Sequence, residues 1–330
     1  MKLARLERYQ VLVYLAAVGC GLALGLYAGA VVAVLDGLLW PLLALLLYAT
    51  FLQVPLLRWR GAFSGGSDGS GGRFLAAAVA GNFLLLPFAV WLLVLFAPDS
   101  PGVQLGLLLV LLVPCTDWFI SFAHLGGGDA RAATAFAPLS LLLQALALPF
   151  YLWLFFGEQF LLTLATGELL RAFITLVLLP LLAAALTQKL ARHYAAVAAL
   201  GKDAAWWPVP LLALVILAVA ATQVDVVTGS LSLLAGVLPV FLAFLAIAAV
   251  LARVLARWLR LSTRQGRTLA FSFGTRNSFV VLPVALALPA SLELAAVVIV
   301  LQSLVELVAM SVWVRWVPVR LFASPPGPGP

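Results

Sequence analysis

Apolar runs of membrane-spanning length follow one another along almost the whole chain, and this feature alone excludes most folds. Ten runs qualify, at roughly 11–33, 38–57, 74–97, 103–125, 132–156, 169–188, 206–224, 232–256, 265–288 and 293–316. A bilayer core needs about 20 mostly apolar residues per helix. Only 9% of the 330 residues are charged, against about 25% in soluble domains. The expectation is an all-α integral membrane protein, one polytopic domain over 1–330. The stretch "GAFSGGSDGSGG" at 61–72 reads as a flexible connection. Residues 158–168 read as a short interfacial piece and 321–330 as a disordered tail. The first run is too long for the core of a signal peptide.

The net charge of +7 has a topological explanation rather than a nucleic-acid one. With ten spans, 17 of the 19 lysines and arginines fall on one side of the bilayer, while Arg171 joins Asp36, Asp99, Glu158, Glu168, Asp225 and Glu293 on the other. The positive-inside rule then places both termini in the cytoplasm, and the expected location is the plasma (inner) membrane. Arg276 is the one basic residue left within a span. Two cysteines, Cys20 and Cys115, are too few for a disulfide framework or a CxxC metal site. "HLGGGD" at 124–129 lacks the GK[ST] of a nucleotide-binding loop.

Displaced by about 160 residues, "LLVPCTDWF" (111–119) lies over "FSFGTRNSF" (271–279). Each passes from apolar residues through a backbone breaker to a polar cluster and back. Pro114 lacks an N–H and Gly274 tolerates unusual dihedrals, so both are expected helix breaks. Ser140 and Gln144 in the fifth run correspond to Gln302, Ser303 and Glu306 in the tenth. Five spans per half make the second half enter from the opposite side. The reading is two inverted five-helix repeats, 9–157 and 168–320, with discontinuous crossing helices 4 and 9. Such repeats place a substrate site at the bilayer midplane.

A carboxylate at a helix centre costs about 2.5–3.5 kcal/mol, so Asp117 needs a partner or a task. Arg276 is the expected partner, either as a switchable gating pair or as a structural bridge. Glu306 lies mid-span, either as the carrier of a coupling proton or as a neutral, hydrogen-bonded glutamate. Cys115 reads as buried filler or as a soft ligand beside a cavity. Thr134, Ser140, Gln144, Gln302 and Ser303 line a path or bond between helices.

The segments "VPCTDWFISFAHLGGGDARAATAFAPLSLLLQALALPFYLWLF" and "FGTRNSFVVLPVALALP…VVIVLQSLVELVAM" resemble the arsenite permease branch of the bile acid:sodium symporter superfamily, and bacterial arsenic resistance proteins in particular. The resemblance implies a core of spans 3–5 and 8–10 and a panel of spans 1, 2, 6 and 7. It assigns a metalloid contact to Cys115, matching a span 4 cysteine, and proton coupling to Glu306, matching a span 10 glutamate. The chain departs from the permeases in having Pro114 where an arginine precedes that cysteine, and "TDW" after it. It departs from the bile-acid branch in having Thr275, Arg276 and Asn277 where a glutamate and glutamines bind sodium. The expected function is therefore export of trivalent arsenic or antimony by proton antiport, with no enzyme activity, cofactor or metal site. Thr116, Asn277 and Ser278 would hydrogen-bond the oxyacid. Sodium-coupled uptake of an organic anion is the alternative, and sodium stays open as coupling ion. The expected partners are the solute and the lipid bilayer, without nucleic acid, in a monomer or homodimer.

Overall fold

A computed structural model describes residues 2–54, 70–165, 171 and 173–323. The helices are α1 (Lys2–Tyr27), α2 (Gly29–Gln53), α3 (Ser70–Ala80), α4 (Leu86–Val94), α5 (Pro101–Leu111), α6 (Trp118–Leu125), α7 (Ala130–Ala165), α8 (Leu179–Leu190), α9 (Ala195–Asp203), α10 (Pro208–Thr222), α11 (Val224–Gly229), α12 (Leu231–Trp258), α13 (Thr263–Gly274), α14 (Ser278–Leu286) and α15 (Leu294–Trp316). Five stretches of the described residues are long and apolar enough to cross a bilayer: 29–53, 70–94, 130–155, 231–258 and 290–321. Shorter apolar helices lie at 12–27, 101–111, 174–190 and 208–222. Large apolar side chains such as Leu146, 75% exposed, and Leu242, 61% exposed, stand on the outer surface. A water-facing protein does not carry so much apolar surface. The chain is a multi-pass membrane protein.

Several expected boundaries move. The first helix ends at Tyr27, and the chain turns at Ala28 (φ −137°, ψ 58°) rather than near Asp36. Both flanks of that turn are apolar, so hydropathy does not register it. Residues 158–165 continue α7 instead of forming a separate interfacial piece, since no proline interrupts "FYLWLFFGEQFLLTLA". Residues 70–72 of the expected Gly/Ser connection open α3. Residues 61–69 and 166–168, and the tail from 324, lie outside the described residues.

α1 packs along α10 through Gly21 and Gly25, a Gly-x-x-x-Gly pair that lets membrane helices approach closely. A Cβ on Gly21 would strike the Leu217 carbonyl, and one on Gly25 would lie 2.6 Å from the Ala221 carbonyl oxygen. Backbone cannot give way as a side chain can. Gly25→Leu is therefore expected to cost about 1–3 kcal/mol, read as a fall in the thermal unfolding midpoint in detergent. The same change at Gly19, where a Cβ meets nothing within 4 Å, should leave the midpoint in place.

The loop Gly126–Asp129 is a packing turn. Gly127 has φ +67°, a Cβ on Gly126 would overlap the Phe271 ring, and one on Gly128 would lie 2.7 Å from Thr268 Oγ1. Asp129 Oδ1 caps α7 by accepting from the N–H groups of Arg131 and Ala132. The buried Arg267 ties this turn to the C-terminal end, donating to the carbonyls of Gly127 and Phe322. α13 starts at a capping box, in which Ser262 Oγ accepts from Gln265 N and Gln265 Oε1 accepts from Ser262 N. Both interrupted segments are thereby anchored at the end distant from their breaks.

Candidate functional site

Two of the described helical segments break at buried positions, between α5 and α6 at residues 112–117 and between α13 and α14 at residues 275–277. The two breaks meet. Pro114 and Arg276 form an isolated antiparallel bridge, flanked by hydrogen bonds from Cys115 N to Thr275 O (3.2 Å) and from Asn277 N to Val113 O (2.8 Å). Pairing satisfies backbone groups that lipid cannot. In such a bridge the N–H and C=O of the opposed residues point outward, so the missing N–H of Pro114 removes nothing from the pairing. The freed N–H of Arg276 donates to Glu306 Oε2 at 2.7 Å.

Arg276 is 2% exposed, and its guanidinium does not pair with Asp117 as the sequence suggested. Nη1 donates to Leu111 O (3.3 Å), and Nη2 to Asn82 Oδ1 (2.9 Å), Ser272 O (3.1 Å) and Phe273 O (2.7 Å). Cζ stands 5.1 Å from the centroid of the Phe244 ring. Leu111 closes α5, while Ser272 and Phe273 lie in the last turn of α13. The cation therefore sits at the carbonyl ends of two half-helices, where the dipoles are negative. Asp117 instead occupies the N-cap position of α6, beside a positive helix end. The physical reason for the difference is that each charge is stabilised by helix ends rather than by the other.

Asn82 reaches the guanidinium from a π-helical turn, Gly81–Leu85, between α3 and α4. Its Nδ2 donates to Ser272 Oγ (3.0 Å). Gly81 lies against the Phe273 ring, which leaves no room for a Cβ. Gly274 has a related role. It ends α13 without a positive φ, and a Cβ there would lie 2.6 Å from the Trp313 ring. Close approach of α15, not dihedral freedom, calls for that glycine.

A second polar chain runs from α14 to α15. Ser278 Oγ donates to Gln302 Oε1 (2.8 Å), and Gln302 Nε2 donates to Glu306 Oε2 (2.8 Å). One carboxylate oxygen thus takes both a side-chain amide and the backbone N–H of the break. The displacement of 162 residues that separates Pro114 from Arg276 also carries Ser140 onto Gln302 and Gln144 onto Glu306. Ser140 and Gln144 are buried, yet Ser140 Oγ and both amide atoms of Gln144 have no hydrogen-bond partner among the described residues. Proline at 114 explains half of this difference, because it presents no N–H of the kind Glu306 receives. Gln144→Leu is expected to leave thermal stability unchanged or higher, since an unpaired buried amide contributes no bond. Gln302→Leu should lower the midpoint by several degrees. Equal losses in the two variants would contradict the asymmetry.

Asp117 accepts from Cys115 Sγ (3.1 Å) and borders a cavity of about 360 Å³. The walls include Gln10, Tyr14, Thr50, Gln53, Ser121 and Arg315, with Trp118 and Phe279 beside Asp117. Trp118 stacks on Tyr14 and meets the Phe279 ring at a tilt of 40°. Among the residues expected to meet solute, Cys115, Thr116, Asn277 and Ser278 are all buried and none lines this cavity. Asn277 Nδ2 donates to Thr116 Oγ1 (3.3 Å). Thr134 is exposed on α7 and bonds back to Ala130 O, so it lies on no internal path. Ser303 likewise bonds back, to Val300 O. Gln53, a polar residue in the second run, does reach the cavity wall, whereas Tyr14 and Arg315 were not legible as site residues, since nothing in their spacing separates them from interfacial positions.

Apolar helices, two of them interrupted and crossing around buried ionisable side chains, define a transporter-type membrane protein. The chain belongs to the sodium bile acid symporter family, whose model matches residues 40–230, more than half of it. The match includes the first break, while the second lies beyond it. Members of that superfamily are secondary transporters and not enzymes, and this chain is one of the superfamily. A comparison with curated proteins finds no match.

Proposed function

We propose that the chain is a proton-coupled exporter of a small uncharged hydroxide of trivalent arsenic or antimony. It would be built as ten spans in two inverted five-helix repeats and seated in the plasma membrane with both termini cytoplasmic. The bridge between the breaks and the 162-residue register support the repeat. The one-sided distribution of lysine and arginine supports the orientation. The core of spans 3–5 and 8–10 moves against the panel of spans 1, 2, 6 and 7, and the cavity at Asp117 lies between helices of the two groups.

The observation that carries proton rather than sodium coupling is the placement of Arg276. Half-helix carbonyl ends are where transporters of this kind hold sodium. Here the carbonyls of Leu111, Ser272 and Phe273 already receive a guanidinium. Glu306, in contact with the backbone of the break, is the proton site. A carboxylate on the cavity wall favours a solute that donates hydrogen bonds over one that is negatively charged. At about 360 Å³ the cavity is also near the small end of the about 300–1,000 Å³ range for ligand pockets. Cys115, directly behind Asp117, is the thiol a trivalent metalloid would reach once the core moves.

Sodium-coupled uptake of an organic anion is the second reading, favoured by membership of the sodium bile acid symporter family and by Arg315 on the cavity wall. Counterflow in proteoliposomes separates the two. Arsenite exchange that responds to a pH gradient and ignores sodium is expected. Sodium-dependent accumulation of a bile-acid-like anion, with no arsenite exchange, would replace the first reading with the second.

A further inference from the structure

A second cavity, of about 770 Å³, lies between α12 and α15 and reaches Leu15 of α1. Every residue that lines it is alanine, leucine, valine or tryptophan. Its outer lip is open to the bilayer, with Leu242 61% and Val312 58% exposed. The solute cavity at Asp117 shares no residue with it.

One end of this groove is cationic. Arg253 lies one helical turn beyond the lining residue Ala249, and Arg257 one turn further, while Arg320 follows Trp316 at the same spacing. The Arg253 guanidinium stands 5.5 Å from the centroid of the Phe322 ring, which brings the C-terminal ends of α12 and α15 together. The two helices therefore run in the same direction, and their basic ends meet at one membrane surface. Acidic residues are missing from this end of α12, α13 and α15. After Asp225 the sequence has only Glu293, which precedes α15, and Glu306, which is engaged at the break. Trp313 and Trp316 line the groove beside the arginines, where aromatic side chains favour the headgroup level.

We infer that this groove is a binding site for an anionic diacyl phospholipid, its acyl chain between α12 and α15 and its headgroup phosphate at Arg253, Arg257 and Arg320. Charge complementarity singles out an anionic headgroup, since a zwitterionic one offers no net charge to three arginines. The binding stands apart from the transport reading. Its consequence rests on that reading: the groove spans α1 of the panel and α12 and α15 of the core, so an occupant would change how the two groups rock.

The test uses the full chain purified in a non-ionic detergent. Thermal unfolding and lipid retention in native mass spectrometry are compared for phosphatidylglycerol and phosphatidylcholine with the same acyl chains, and for glycerol phosphate as a free headgroup. Phosphatidylglycerol is expected to bind about tenfold more tightly than phosphatidylcholine and to raise the midpoint, whereas glycerol phosphate does neither. Arg253→Gln and Arg257→Gln together should reduce the preference to parity, and Arg257→Gln with Arg320→Gln should do the same without touching the Phe322 contact. Ala246→Phe, which fills the groove, should weaken retention of both lipids, while Arg192→Gln should change nothing. Equal retention of the two lipids by the parent chain would overturn the inference. So would a preference that survives both arginine pairs, or a concentration-dependent dimer broken by Ala246→Phe in the absence of any lipid preference. Arsenite counterflow that fails while the lipid preference holds would count against the proposed solute alone.

Discussion

Replacing Arg276 with alanine is expected to leave little folded protein. The change strands the carbonyls of Leu111, Ser272 and Phe273 and the side-chain amide of Asn82 in a buried site. An unsatisfied buried polar group costs about 1–3 kcal/mol. Four of them amount to much of the about 5–15 kcal/mol that holds a typical domain together. The cavity left beside Phe244 adds to the loss. Lysine keeps the charge, but its single ammonium cannot reach both half-helix ends and Asn82 as a planar fork does. Arg276→Lys should therefore fold with a clearly lowered midpoint. Asp117→Asn is expected to change stability far less. Because Asp117 and Arg276 are supported by different helix ends, the double variant of Asp117→Asn with Arg276→Lys should be additive within about 0.5 kcal/mol. Thermal unfolding in detergent measures all four. A coupling of several kcal/mol would restore the ion pair that the sequence suggested.

Glu306→Gln is expected to separate solute movement from the proton gradient while leaving the fold intact. Glutamine has nearly the same shape, and its carbonyl oxygen can still accept from Arg276 N and Gln302 Nε2. It cannot exchange a proton. In antiport the protons run inward as solute leaves, so acid outside drives export by the parent chain. The variant should retain solute exchange at equal pH on both sides, lose at least about tenfold of its gradient-driven rate, and show a flat rate against pH. Glu306→Leu removes the acceptor as well, and is expected to destabilise the break. Should Glu306→Gln still respond fully to the gradient, Asp117 becomes the group that carries the proton.

Much of the architecture was legible in the chain because its causes are local. Proline beside polar residues inside an apolar run marks a break, and the repeat of that pattern between 111–119 and 271–279 indicated which segments meet. The partners of Arg276 were not legible for a physical reason. Three of them are backbone carbonyls, which every residue possesses: those of Ser272 and Phe273 lie four and three residues back along the chain, and only the meeting of the two breaks brings that of Leu111 to the guanidinium. An acid in the opposite break was the more visible choice and the wrong one. Asn82 is a polar residue inside the apolar run 74–97, but its task depends on a π turn that leaves no composition signal. The four-residue spacing of Gly21 and Gly25 stands in the sequence, but only the approach of α10 gives it a role. Gly274 was noticed for its flexibility, whereas the adjacent Trp313 is what requires it.

Cross-linking the two breaks tests the account most directly. Cys115 and Thr275 lie opposite each other beside the Pro114–Arg276 bridge, joined by the bond from Cys115 N to Thr275 O. Opposed residues of an antiparallel pair have Cα atoms about 4.5–5.5 Å apart, within the span of a disulfide. In a Cys20→Ser background, Thr275→Cys is expected to form a bond with native Cys115 under mild oxidation, and to be bridged by mercuric ion. Proteolysis between the breaks would then leave the halves covalently joined until reductant is added. Fragments that separate freely from folded protein after either treatment would show that the interrupted segments do not cross, and the site built on their crossing would fall with them.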